Sequence, residues 1–150
     1  MYELGHAYET GDQVKQDIHE AEIWYQRATD GGSIHASYYL GLLRRSSGDY
    51  QRAIELFRIG ARAEFAPSLN NLAIMYFNGQ GVKQDKKLAR ELWERAANMG
   101  HIFSIRNLAH RLIAGVYGMS GVPKGMLMLV VAIISVPFIV AADKKSEKIL

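Results

Sequence analysis

Apolar residues recur in one register along most of this chain, and that register calls for stacked helices. Three alanines each open the same spacing: Ala21-Tyr25-Ala28, Ala53-Phe57-Gly60 and Ala89-Trp93-Ala96. Positions i, i+4 and i+7 share one face of an α-helix, so each set marks an amphipathic helix. Nineteen residues after each alanine stands a leucine followed by a small residue: Leu40-Gly41, Leu72-Ala73 and Leu108-Ala109. Leu4-Gly5 starts the series. The constant nineteen fixes the path from the second helix (B) of one pair to the first helix (A) of the next. Only the step from A to B varies, being 17 residues from Leu4 to Ala21, 13 from Leu40 to Ala53 and 17 from Leu72 to Ala89. A difference of four leaves both helix registers intact when it falls in the connector.

The two longer connectors are near copies. Residues 8–17 read YETGDQVKQD and residues 76–85 read YFNGQGVKQD, with six of the ten letters shared. The short connector is SSGDY, beginning at Ser46. Gly11, Gly79 and Gly81 suit the positive φ angles of such a turn, and Asp17 and Asp85 stand where N-caps are needed. The pattern predicts helices over 2–9, 17–30, 34–46, 49–63, 66–78, 85–99 and 102–117. The last is drawn about one turn longer because Leu108 to Gly121 spans 13 residues, against nine from Leu72 to Gly81.

Beyond Lys124 the character changes. Gly125 to Ala142 is an eighteen-residue run without a charge, bounded by Lys124 and by Asp143, Lys144 and Lys145. As a helix it would reach about 27 Å, close to the hydrocarbon thickness of a bilayer. Pro137 is tolerable in a membrane helix and would kink it. The sequence thus predicts one span over 123–142 and a short charged tail, 143–150, with the solenoid entering the membrane without a loose linker. A buried helix capping a core is the competing reading, but the run offers water no polar face.

With these residues in view, the chain resembles the Sel1-like repeat, a relative of the tetratricopeptide repeat. The likeness rests on Ala36, Leu40 and Gly41, on Tyr76, Gly79, Gly81, Val82 and Asp85, and on Ala89, Trp93, Ala96 and Ala97. It covers about residues 1–122. Gln13 departs from it, standing where the second connector glycine belongs, so the first connector is expected to be strained or differently turned. The middle connector has the shorter spacing of a tetratricopeptide repeat. The resemblance implies an all-α fold, an α/α solenoid of helical hairpins over 1–122 followed by the single transmembrane helix.

Such arrays bind other proteins on a curved inner face. If the register follows tetratricopeptide repeats, that face is set at two before, two after and five after each leucine. These offsets select Tyr2, His6 and Glu9; Tyr38, Leu42 and Arg45; Asn70, Ile74 and Phe77; and Arg106, His110 and Ile113. The candidate partner-binding patch is Tyr38, Leu42, Arg45, Asn70, Ile74, Phe77 and Arg106, an apolar centre with a polar rim. Packing of the same side chains within a tight array is the equal alternative.

Other chemistry finds no motif. There is no cysteine, so disulfides, thiolate ligands and cysteine nucleophiles are excluded. The five histidines show no ligand spacing, the arginines of the middle unit are interleaved with Asp49, Glu55 and Glu64, and GMSGVPKG lacks the ending of a phosphate loop. We therefore expect no catalytic residues, cofactor, metal, nucleic acid or small-molecule substrate. The expected role is a non-enzymatic adaptor at a membrane, meeting another, membrane-associated protein through the repeats and the lipid bilayer through 123–142. An accessory subunit of a membrane enzyme or transporter, packed through Gly125, Ala132 and Ser135, is one alternative. An inhibitor or immunity protein against a toxin is another. Residues before Tyr2 hold no secretory signal, which favours cytoplasmic repeats. The abrupt start of the first helix keeps a periplasmic or lumenal placement open, as does the resemblance, whose members include a membrane-anchored adaptor for a ubiquitin ligase.

Overall fold

The computed structural model describes residues 1–130. Its helices run α1 (Tyr2–Thr10), α2 (Ile18–Asp30), α3 (Ile34–Ser46), α4 (Tyr50–Arg62), α5 (Ala66–Asn78), α6 (Lys86–Asn98) and α7 (Ile102–Ile113), then a 3-10 turn at Met119–Gly121. The chain is helical again from residue 122 to the last described residue, 130. It forms two compact units, Met1–Ala96 and a second beginning at Ala97.

In the first unit each hairpin packs by the rule that its spacing announces. In the first two, the aromatic residue of helix B presses on the small residue of helix A. A Cβ on Gly5 would stand 2.7 Å from Tyr25 Cδ1, and one on Gly41 would stand 2.7 Å from Phe57 Cε1. Tyr25, Phe57 and Trp93 are completely buried, as are Ala21, Leu40, Ala53, Leu69, Ala73, Met75, Ala89 and Ala96. Burying each such aromatic stripe contributes about 1.5–3 kcal/mol per large side chain, which a single hairpin could not realise alone.

The twin decapeptides fold alike, bond for bond. Asp17 N–H donates to Tyr8 O and Asp85 N–H to Tyr76 O, both at 2.9 Å. Gln16 Nε2 donates to Glu9 O and Gln84 Nε2 to Phe77 O, both at 2.8 Å. Each connector then ends on an aspartate N-cap, Asp17 accepting from the amides of His19 and Glu20 and Asp85 from that of Leu88. Gly81 sits at φ 68° and Gln13 at φ 61°. The turn is therefore the same, and Gln13 bears the left-handed strain that glycine avoids, on the order of 1 kcal/mol.

In the second unit the structure corrects the expected 102–117 helix. α7 stops at Ile113, because Gly115 takes φ 68° and the chain closes a Schellman turn. Gly115 N–H donates to Leu112 O at 3.1 Å and Val116 N–H to Arg111 O at 3.0 Å. The four extra residues enter the connector, not the helix. The helix from 122 then lies against α7 at a glycine, since a Cβ on Gly125 would be 2.8 Å from Ala109 O and from Leu112 Cβ. Of the expected 123–142 span, residues 131–142 lie outside the described residues, as does the 143–150 tail. Among the described residues no helix is long and apolar enough to cross a membrane.

Candidate functional site

The candidate patch is partitioned by its neighbours. On α3, Tyr38 is half-buried, its ring 5.5 Å from Phe65, 6.1 Å from Phe57 and 5.3 Å from Tyr39. Burial pushes its hydroxyl pKa up, helped by Tyr39, while the bond to Asn71 and the charge of Arg45 pull it down. Arg45 Nη1 donates to Asn71 Oδ1, and Asn71 Nδ2 donates to Pro67 O at 2.9 Å. Asn71, one residue from the expected Asn70, is thus the side chain that ties Arg45 to α5.

Asn70 is instead turned into its own hairpin. It is 8% exposed, and its Oδ1 accepts from Trp93 Nε1 at 3.1 Å. Phe77 is half-buried 5.5 Å from the Trp93 ring, with Lys86 Nζ 5.8 Å from its centroid. Leu42 and Ile74 are half-buried. Arg106 belongs to the second unit, where its guanidinium lies 5.2 Å from the centroid of Phe103, a ring 56% exposed.

A richer surface lies at the other offsets. Tyr2 stands 5.6 Å from Tyr39, 5.9 Å from His35 and 6.3 Å from His6. His35 meets Phe65 edge-on at 5.0 Å, which joins this group to Tyr38. Tyr39 stacks on the buried Tyr25 at 5.7 Å and 18°, and Tyr25 donates its hydroxyl to Glu9 Oε2 at 2.6 Å. Burial raises the Tyr2 pKa to about 12 and that of Tyr25 further, the latter with the Glu9 bond as the next cause. Tyr2 therefore presents an uncharged hydroxyl over the whole physiological range. The offset rule selects Tyr2, His6 and Glu9 but misses Tyr39 and His35. The available signal is the density of rings in IHASYY, residues 34–39.

The strip from Tyr2 through Tyr39 and His35 to Phe65 and Tyr38 is aromatic and partly exposed, and it contains no carboxylate, lysine or arginine. It can stack on flat or extended groups and exchange hydrogen bonds; it has no nucleophile paired with a base. Among the described residues no cluster of three His, Asp or Glu side chains could hold a metal ion. Gly125, expected to offer a close-packing point to another membrane helix, is buried against α7 of this chain. Ala132 and Ser135 lie outside the described residues.

The Sel1 repeat matches residues 1–33, 34–65 and 66–101, one helical hairpin at a time. This chain belongs to the Sel1 repeat family. Two F-box proteins of Arabidopsis thaliana are similar to it. One is 38% identical over 117 residues, 71% of this chain and 29% of that protein. The other is 36% identical over 110 residues, 69% of this chain and 32% of that protein. The chain thus spans about a third of the length of these relatives. Among solved structures, a Sel1 repeat protein from Oxalobacter formigenes superposes with a TM-score of 0.80 at 25% identity, over 87% of this chain and 55% of that one. The protective antigen c5321 of uropathogenic Escherichia coli, of SLR fold, superposes with a TM-score of 0.72 at 27% identity, over 85% of this chain and 28% of that one. The Sel1 repeat solenoid is therefore the fold, and such proteins generally mediate protein–protein interactions, typically as non-enzymatic scaffolds.

Proposed function

We propose that this Sel1 repeat chain is a non-enzymatic adaptor that holds a partner protein on the face of α1, α3 and α5, and is tethered to a membrane by residues 123–142. The observation that carries the first part is the aromatic strip running from Tyr2 to Tyr38, bordered by Arg45. Rings with two side-chain torsions offer large contact area at small entropic cost, and tyrosine and arginine dominate binding hot spots. The uncharged run Gly125 to Ala142, flanked by lysines, supports the tether.

The test uses the full chain as bait in gently solubilised membranes, with captured proteins identified by mass spectrometry. Tyr2→Ser combined with His35→Ala should lose the main captured protein while the chain stays helical by circular dichroism, at a melting temperature lowered by the lost packing of Tyr2 on Tyr25 and Tyr39. Undiminished capture by this variant would end the reading of the strip as the binding face. A chain cut after Lys124 should keep the partner yet no longer float with lipid vesicles; flotation by the shortened chain would sink the tether.

A further inference from the structure

The long connector of the third hairpin covers a helix of the hairpin before it. Residues 79–85 join α5 to α6, and their turn lies on α4. Gln51 Nε2 donates to Gly81 O at 2.6 Å, and a Cβ on Gly81 would stand 2.5 Å from Tyr50 Cβ and 3.2 Å from Ile54 Cδ1. Under this turn Tyr50 is half-buried and Ile54 is buried. Arg58 Nη2 donates to the Tyr76 hydroxyl at 2.8 Å and ties the same helix to α5.

One repeat earlier α2 offers the same seat. Thirty-two residues before Tyr50, Gln51, Ile54, Arg58 and Tyr76 stand Ile18, His19, Glu22, Gln26 and Arg44. Only residues 47–49 join α3 to α4, four fewer than join α5 to α6. An open hollow of about 370 Å³ remains, lined by His19, Glu22, Ile23, Gln26, Arg27 and Arg44 and by no residue of the short connector. Ile18, the counterpart of Tyr50, is left 43% exposed. Glu22 stands where Ile54 is buried, and its carboxylate meets Arg44 at 3.0 Å. From α4, Arg52 Nη2 reaches Gln26 Oε1 at 3.4 Å. The opening therefore follows from the length of an internal connector and from neither end of the chain. By the same order, the α1–α2 connector serves whatever helix comes before α1, so such a helix is not the occupant missing from α2.

We propose that this seat docks an acidic, glycine-containing turn of a partner protein, laid on α2 as residues 79–85 are laid on α4. The His19 imidazole takes the place of the Gln51 amide and donates to a main-chain carbonyl of the turn, while Ile18 and Ile23 give it apolar contact. Glycine suits the point of closest approach, as at Gly81, where φ is 68° and a Cβ has no room. Charge sets the second requirement. The lining holds two arginines and one carboxylate, Glu22, which Arg44 already engages. Arg27 stacks on the Trp24 indole, 4.7 Å from its centroid, and has no carboxylate partner among the described residues. A carboxylate on the docked turn pairs with Arg27, where this chain's own long connector carries Lys83. The seat lies apart from the aromatic strip and does not depend on the role given to it.

The probe is the long connector with its charge reversed: a fluorescent peptide of residues 76–85 carrying Lys83→Glu. It is cyclised so that the turn is formed before binding. Binding to the full chain is read by fluorescence anisotropy. The natural chain should bind it, and less tightly when ionic strength rises from about 0.1 to about 1 M, which shortens the screening length from about 10 to about 3 Å. Arg27→Glu should weaken binding several-fold, and the same peptide with its natural Lys83 should recover part of that loss. Replacing residues 46–49 by a copy of residues 78–85 lengthens the short connector by four residues and should abolish binding while circular dichroism shows the helices intact. Should the longer connector unfold the chain, Arg27→Glu and the two peptides decide alone. No saturable binding by the natural chain, equal binding after Arg27→Glu, or binding kept by a folded long-connector chain overturns the proposal. So does self-association of the natural chain that the long connector abolishes, since the seat would then serve a second copy.

Discussion

A glycine beside an aromatic ring is the smallest unit on which this fold depends. Gly41 is required for space. Phe57 is fully buried and presses to within 2.7 Å of where a Cβ would stand. Alanine would gain about 1 kcal/mol of helix propensity, yet forcing a methyl group into a filled core costs typically 1–3 kcal/mol. With the ring unable to retreat, the steric cost wins. Gly41→Ala should lower stability by up to about 2 kcal/mol in urea denaturation, whereas an exposed helical glycine would respond in the opposite direction. Ala73 occupies the same register position opposite Trp93, so the rule is "small", and the particular ring sets how small.

At the scale of elements, helix ends decide where the repeat starts and stops. Asp17 and Asp85 each accept from backbone amides of the first turn that would otherwise lack partners. Asp85→Ala should cost about 1 kcal/mol, read as a lower denaturation midpoint with an unchanged m-value. Asp17→Ala should cost about the same, because the two connectors share their bonds. α7 carries the complementary lesson. Its apolar register continues past Ile113 in the sequence, but Gly115 at φ 68° ends it. A positive-φ glycine closes a helix whatever hydrophobic pattern lies beyond it.

For the molecule as a whole, the ring cluster of the first unit ties stability to alkaline pH. Tyr2 and Tyr25 both hold their protons above the ordinary phenol value of about 10, Tyr2 to about 12 and Tyr25 further still. Their contribution is complete below pH 10, where folded and unfolded chains alike keep the proton. Above pH 10 the unfolded chain releases protons that the folded chain retains, so stability falls as pH climbs through the folded values. Denaturation midpoints from pH 8 to about 11.5 should decline along this limb. Tyr25→Phe should flatten the decline, at the cost of the Glu9 hydrogen bond at neutral pH. A midpoint independent of pH in the natural chain would show that these hydroxyls are not buried.

The sequence by itself determined the helices, their pairing and the turns between them. Periodicity places one apolar face on each helix, and glycine and aspartate fix the backbone at their ends. The expected bounds therefore lie within a residue of α1 to α6, and Gln13 was legible as the odd residue in a turn made for glycine. Only the tertiary structure decided which side chains share a surface. A fixed offset from each leucine cannot tell whether Asn70 faces the groove or the indole of its own hairpin. Nor can it tell that Asn71 holds Arg45, or that Tyr39, next to a core leucine, joins rings from α1 and α2. Those choices depend on crossing geometry and on the size of the ring across the interface. They bring together residues far apart in the chain, which no local spacing encodes.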